Sequence, residues 1–131
     1  ALADKIAAAD EIGWVMGYPP SKMALARWIR TQSVSDAWIG QGINLNAVAP
    51  GKTETAMVAE GRAHPILGPH IDAFPMPVGR GGRAEEIASL ICFLLGPTAR
   101  FIVGSVFFID GGTDAQLRAN DFPSPMPLPS I

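Results

Sequence analysis

Apolar residues recur at helical spacing most clearly between Ala84 and Leu95. There Ile87, Leu90, Ile91, Leu94 and Leu95 fall at i, i+3, i+4, i+7 and i+8. Gly96-Pro97 ends that helix. A second helix is predicted from Pro20, whose missing N–H costs nothing in a first turn. It continues through Met23, Leu25, Trp28 and Ile29, then Val34, Ala37 and Trp38, to about Ile39. Trp14, Trp28 and Trp38 suit packing anchors at helix surfaces. Ile43 to Ala49 reads as a buried strand alternating Ile43, Leu45 and Ala47, broken by Pro50-Gly51. Ser105 to Ile109 reads as a second strand, closed by Gly111-Gly112. An alanine-rich helix is expected over Leu2 to Ile12, ended by Gly13 to Gly17. Helix, strand, helix, strand predicts an α/β fold with a parallel layer.

Between the first strand and the Ala84 helix lies a long segment, Ala56 to Gly82, with Pro65, Pro69, Pro75 and Pro77. A connection of this length is expected to be a lid or binding loop. Met57, Val58, Ile66, Leu67, Ile71, Phe74 and Met76 make it apolar. That suits either a bulky hydrophobic ligand or simple tethering to the core. Residues 120–131 form a proline-rich tail expected to be extended.

Composition narrows the function classes. The chain has 131 residues, 48% hydrophobic, with a net charge of −2. This balance offers no basic surface for nucleic acid or an anionic membrane. No apolar run approaches the roughly 20 residues that span a bilayer. Residues 1–17 lack the basic head and apolar stretch of a signal peptide, so a cytoplasmic location is the default. The single cysteine, Cys92, has no internal disulfide partner and is predicted to be a core residue. His64 and His70 lack metal-ligand spacing and read as surface residues. Lys52 and Glu54 read as solvated.

The chemistry lies in Tyr18 and Lys22. Residues i and i+4 share one helix face. A phenol has an unperturbed pKa of roughly 10, and an ammonium one turn away favours the phenolate. Such a pair can act as a general acid or base toward a carbonyl or alcohol. By itself the spacing is common on protein surfaces. Pro19 also biases Tyr18 away from the helical region, so a distance unlike that of an unbroken helix is expected.

From Tyr18 onward the chain resembles the C-terminal half of the short-chain dehydrogenase/reductase family. The match runs through Tyr18-Pro19-Pro20-Ser21-Lys22, then Gly42 to Gly51 with its Asn46-Ala47-Val48-Ala49-Pro50-Gly51, then Thr53 and Thr55. Gly79-Arg80, Glu85 to Leu90 and Val106 to Gly112 complete the ordered set. The segments Ala49 to Thr55 and Ile109 to Ala115 look like the bacterial 3α-hydroxysteroid dehydrogenase/carbonyl reductase branch. The resemblance implies a doubly wound, parallel Rossmann-type sheet of which this chain is the C-terminal part. Two strands do not make such a sheet, and the chain begins at Ala1 rather than Met. The first half of the domain is therefore expected on a missing N-terminal stretch of the same polypeptide, and the piece alone is expected to be inactive.

The resemblance also assigns roles. Tyr18 would protonate the developing alkoxide as hydride arrives from a nicotinamide. Lys22 would assist Tyr18 and bond the nicotinamide ribose. The strand end at Pro50 and Gly51, with Thr53 and Thr55, would contact the cofactor, NAD or NADP with NAD slightly favoured. Glycine there would let the backbone approach a flat ring. Residues 56–82 would be the substrate-binding loop.

Residues 1–17 contain no serine or threonine for the family's carbonyl-orienting position. Either an insertion, the Leu2 to Ile12 helix, separates that serine from Tyr18, or the protein is a non-catalytic binding or assembly member. Gly79-x-Gly81-Gly82 follows a proline-rich loop rather than a strand, so it fails the context of a dinucleotide fingerprint. The implied activity interconverts a secondary alcohol and a ketone on a steroid or other hydrophobic carbonyl. A 3-oxoacyl thioester reductase is the alternative. A homo-oligomer, preferably a dimer, is expected through Ala84 to Leu95 and Ser105 to Ile109.

Overall fold

The structure, a computed structural model, describes residues 11–121. The Leu2 to Ile12 helix expectation falls mostly outside the described residues, as does nearly all of the proline-rich tail. Contacts divide the chain into two units, Ala1–Ala47 with Gly96–Phe107, and Val48–Leu95 with Phe108–Ile131.

The first element is one helix, α1, spanning Glu11–Gln32 with Pro19 and Pro20 inside it. The expected break over Gly13 to Gly17 does not occur. Proline's fixed φ is itself helical; what it costs is the missing N–H bond one turn back. The helix stops earlier than the predicted Ile39. The Ser35 N–H and hydroxyl both bond the Gln32 carbonyl, at 2.9 and 2.7 Å. Such side-chain bonds compete with helix continuation. A 3-10 turn over Ile39–Gln41 comes next, closed by Gly42 at φ 74°.

Ile29 and the fully buried Ser33 anchor the C-terminal end of α1. The Arg30 guanidinium donates to the Gly104 carbonyl at 3.2 Å. Gly104 has φ 70°, and a Cβ there would lie 2.5 Å from the Ser33 Oγ. Only glycine meets both demands. Trp28 and Trp38 pack edge to face at 6.2 Å, a favourable aromatic geometry.

Strands β1, Ala47–Pro50, and β2, Val106–Ile109, form a two-stranded sheet. The Ala47 N–H bonds the Ser105 carbonyl, and the Gly51 N–H bonds the Ile109 carbonyl. The constant offset makes the pair parallel. Odd-numbered residues of β1 therefore donate to β2, and the missing N–H of Pro50 points away from it.

β1 starts at Ala47 rather than Ile43 because before it a single backbone bond, from the Gly104 N–H to the Leu45 carbonyl at 2.9 Å, is supplemented by side chains instead of a continued ladder. Asn46 donates to the Ile102 carbonyl at 2.8 Å and accepts the Ser105 N–H at 2.9 Å. Asn44 donates to the Arg100 carbonyl at 2.7 Å. Capture of the Ser105 N–H by Asn46 also explains why β2 begins one residue later than predicted.

The segment read as a long loop, Ala56 to Gly82, holds two short helices, α2 (Ala56–Ala63) and α3 (Leu67–Asp72). The Thr55 Oγ1 caps α2 by accepting the Val58 N–H at 3.3 Å. His64, predicted on the surface, is half-buried and joins the two helices. Its N–H bonds the Gly61 carbonyl, and its Nδ1 accepts the N–H groups of Ile66 and Leu67 at 3.2 and 3.3 Å. Pro69 sits in the first turn of α3, where it removes no needed donor.

α4 spans Ala84–Leu95, as its periodicity predicts. No residue of α4 is buried, and Ile91, Phe93 and Leu95 are exposed. Cys92 is exposed as well, against the expectation of a core residue. Its apolar helix context was real, but among the described residues nothing covers that side. A short 3-10 turn, Pro97–Ala99, and a last helix, α5 (Thr113–Leu117), complete the fold. Among the described residues no helix is long and apolar enough to cross a membrane.

The Asn46 clasp generates a prediction. Asn46→Ala strips a partner from two backbone groups and should lower stability by about 1–3 kcal/mol. Asn44→Ala, at an exposed position, should cost less. Urea denaturation of both variants checks this; equal losses would remove the special weight given to Asn46.

Candidate active site

In the first unit, Tyr18 and Lys22 occupy successive turns of α1, so the sequence-predicted juxtaposition is present. Tyr18 is helical despite the bias from Pro19. The Lys22 Nζ lies over the Tyr18 ring, 5.2 Å from its centroid. This is a cation–π contact at the ring face rather than a bond to the hydroxyl. Tyr18 is 59% exposed, leaving its hydroxyl accessible. The Ser21 hydroxyl donates to the Tyr18 carbonyl at 2.7 Å and helps hold the turn that the two prolines weaken. Lys22 makes no ion pair among the described residues, so its ammonium keeps donors for a ligand.

The second unit holds Pro50, Gly51, Thr53 and Thr55. A Cβ on Gly51 would lie 2.6 Å from the Asp110 Cα, so the neighbouring backbone itself demands glycine here. The sequence reading assigned that glycine to the approach of a flat ring. The Thr53 hydroxyl donates to the Gly51 carbonyl at 3.1 Å, and Thr53 pairs in parallel with Gly82. The Gly51 N–H is taken by Ile109 and the Glu54 N–H by Gly82. Between them, the N–H groups of Lys52 and Thr53 meet no backbone carbonyl among the described residues. Two free donors at the C-terminal edge of a strand fit an amide-bearing ring, and this edge is where open α/β sheets bind ligands. The Thr55 oxygen caps α2, which leaves its O–H free to donate elsewhere.

A cavity of about 230 Å³ opens beside this strand end, bounded by Gly51, Lys52, Met76, Val78, Ile109 and Asp110. A wider groove of about 590 Å³ adjoins Lys52, Glu54, Arg62, Asp72, Phe74 and Met76. Lys52 and Glu54 are not simply solvated. The Lys52 Nζ donates to the Ile71 carbonyl at 3.2 Å, and Glu54 pairs with Arg62 at 2.7 Å. A hydrogen bond from Arg62 holds the Glu54 carboxyl below its ordinary range.

With this geometry in view, the chain can be set beside known proteins. The profile of the family described as enoyl-(acyl carrier protein) reductase matches residues 6–114. The chain belongs to the short-chain dehydrogenase/reductase family. It is 40% identical over 114 residues to the 3-alpha-hydroxysteroid dehydrogenase/carbonyl reductase of Comamonas testosteroni, covering 87% of this chain and 44% of that protein. It is 36% identical over 95 residues to the rhamnolipids biosynthesis 3-oxoacyl-[acyl-carrier-protein] reductase of Pseudomonas aeruginosa, covering 72% of this chain and 36% of that one. The crystal structure of 3-alpha-hydroxysteroid dehydrogenase from Pseudomonas sp. B-0831 complexed with NADH matches with a TM-score of 0.76 at 43% identity. That superposition covers 92% of this chain and 49% of the other. The chain thus spans less than half the length of each of these relatives. The architecture is that of the C-terminal part of a doubly wound parallel sheet of the short-chain dehydrogenase/reductase family.

Three features of this family member escaped the sequence reading. Asp110 accepts the Gly112 N–H at 2.9 Å and the Asp114 N–H at 2.6 Å, fixing the turn after β2. The buried Thr113 hydroxyl lies 2.7 Å from the Pro75 carbonyl, tying that turn to the segment before α4. Arg80 forms a two-bond fork with Glu86 at 2.6 and 2.8 Å. Glu86 also accepts the Arg83 N–H at 2.8 Å, as an acidic residue in a first helical turn can. Gly79-Arg80 and Glu85-Glu86 had appeared as separate motif pieces. An acidic residue three positions after an arginine that precedes a helix was the available signal.

Glu86 gives the site a pH prediction. Hydrogen bonds from Arg80 and then the Arg83 backbone lower its pKa from 4.5 to about 2. A depressed carboxyl contributes fully above its unfolded value and loses that contribution as pH falls toward the folded one. The Arg80–Glu86 clamp should therefore persist at pH 4.5 and dissolve as pH approaches 2. Side-chain carboxyl NMR should show the Glu86 midpoint near 2, moving upward in Arg80→Ala. An unmoved midpoint in that variant would exclude Arg80 as the main cause.

Proposed function

We propose that this chain carries the proton-transfer pair and the nicotinamide-facing strand end of an NAD(P)-dependent oxidoreductase. Its reaction interconverts a secondary alcohol and a ketone. The observation that carries the reading is the accessible Tyr18 hydroxyl with the Lys22 ammonium over its ring, in no ion pair among the described residues. The free N–H donors of Lys52 and Thr53 fit the carboxamide of the cofactor, with Pro50, Gly51 and Thr55 framing them. When bound, the nicotinamide donates or accepts the hydride. Tyr18 gives its hydroxyl proton to the nascent alkoxide in reduction and takes it back in oxidation. Lys22 orients the ribose and holds positive charge beside the phenol ring. NADH in the Pseudomonas structure supports NAD as the first choice of cofactor.

The names of the Comamonas and Pseudomonas relatives support a steroid or similar hydrophobic carbonyl as substrate. The exposed apolar side chains of Met57, Ile66 and Phe74 on residues 56–82 suit such a ligand, which makes this segment the substrate-binding loop. The rhamnolipid-pathway relative supports a 3-oxoacyl thioester as the second reading. A panel of hydroxysteroids and 3-oxoacyl thioesters, each assayed with NADH and NADPH, separates the two. The exposed Ile91, Phe93, Leu95 and Phe108 suit burial in a two-fold homodimer, in which one patch is used twice. We place the protein in the cytoplasm.

Two substitutions test the reading in the protein as its gene encodes it. Tyr18→Phe should reduce turnover by roughly 10²–10⁴-fold while leaving cofactor affinity nearly intact. Near-normal turnover would sink the assignment. Lys22→Ala should weaken both cofactor binding, read by calorimetry, and turnover. Unchanged affinity would reduce Lys22 to a surface charge.

A further inference from the structure

We infer that Arg62 is a positioning residue that latches helices α2 and α3 to each other and to Glu54, setting the shape of the groove lined by Lys52, Glu54, Arg62 and Asp72. The inference rests on the reading of residues 56–82 as the substrate-facing segment. Arg62 lies on α2, yet its guanidinium reaches both ends of the helix pair. Two of its nitrogens donate to the Glu54 carboxylate at 2.7 and 2.8 Å, ahead of α2. Its Nε donates to Asp72, the last residue of α3, at 3.2 Å. One planar fork thus joins three stretches of chain, a task that suits arginine and not lysine.

The surroundings are cut to this arrangement. A Cβ on Gly81 would overlap the Glu54 carboxylate, so glycine leaves room for the acid that Arg62 holds. The buried Gly68 of α3 backs onto the Arg62 carbonyl, and a Cβ on Gly61 would lie 2.7 Å from the Ile71 Cδ1. The Lys52 Nζ adds a second tie to α3 at the Ile71 carbonyl.

Apolar packing supplies only part of the grip, through the part-buried Val58, Leu67 and Ile71. No residue of α2 is buried, and α3 buries only Gly68. Met57 is 80% and Ile66 43% exposed. Both carboxylates that face the groove are already matched by Arg62, so the cluster works as a closure between elements rather than as a binding site for an external anion.

Hydrogen exchange on the protein as its gene encodes it reads the latch directly and needs no catalysis. Arg62→Ala should speed exchange of amides in 56–72 by about threefold or more, consistent with a networked surface ion pair. Exchange in 84–95 should not change. Arg62→Lys, which keeps charge but loses the fork, should fall between. Glu54→Gln with Asp72→Asn, which keeps the shape of both acceptors and removes their charge, should also speed exchange in 56–72, and it remains informative where Arg62→Ala alone unfolds the chain. Unchanged exchange in Arg62→Ala, or in the double amide variant, would overturn the latch. In the protein as its gene encodes it, Arg62→Ala should raise KM for a bulky alcohol by about threefold or more, with a smaller change in kcat. Faster exchange with an unaltered KM would overturn the positioning role. Absence of any alcohol or ketone turnover in the wild type would instead refute the proposed function and leave the latch standing.

Discussion

The closeness of Gly51 to Asp110 is the constraint on which the second unit depends. A side chain on Gly51 would occupy the space of the Asp110 backbone. With the gap closed, the Asp110 carboxylate is free to fold the Gly111-Gly112 turn and cap α5. Gly111 in turn accepts the Val78 N–H, and Thr113 reaches the Pro75 carbonyl. The chain then returns along β1's extension, where Gly82 pairs with Thr53. Arg80 and Glu86 lock the entry into α4 at the end of that path. One missing methyl group therefore propagates, through backbone bonds, to the groove and its charges.

Much of this was legible where a local period or spacing carried it. α4 matched its predicted bounds because five apolar residues follow one stripe. Tyr18 and Lys22 met because a helix brings i and i+4 together. The break expected before Tyr18 failed because glycine and proline were read as punctuation, while proline's φ is compatible with a helix and only its hydrogen bond is lost. The strand starts were misread because Asn46 trades ladder bonds for side-chain bonds, a choice that alternation does not reveal. The loop reading of Ala56 to Gly82 missed two helices too short to show a clear period.

The candidate site was legible in its parts and not in its bonding. Residue types placed Pro50, Gly51 and Thr53 at a strand end, and beside them the N–H groups of Lys52 and Thr53 meet no backbone carbonyl among the described residues. Yet the demand on Gly51 comes from Asp110, fifty-nine positions later by sequence number. Such a contact has no local signature. The same holds for Arg62, whose partners lie eight residues before it and ten after it, outside its own helix. Thr55 shows a residue with one visible duty, the cap on α2, and a hydroxyl proton left over for another.

Burial and hydrophobicity are out of proportion, and this explains why polar clasps matter so much. The sequence is 48% hydrophobic, while among the described residues the buried apolar side chains are Ile29 and Ala99. Apolar area contributes about 25 cal/mol for each Å² removed from water, and it comes here mainly from part-buried side chains such as Val48, Leu90, Val106 and Ile109. What fixes the local geometry is a set of directed contacts: Asn46 across two backbone groups, Asp110 across its turn, Arg30 on Gly104, Arg62 and Arg80 on their carboxylates. Directed bonds specify distance and angle, whereas a loose apolar contact specifies neither. The strand end and the α2–α3 pair thus owe their shape to polar geometry, and the exposed apolar faces of α1 and α4 are free to take their stability from whatever surface covers them.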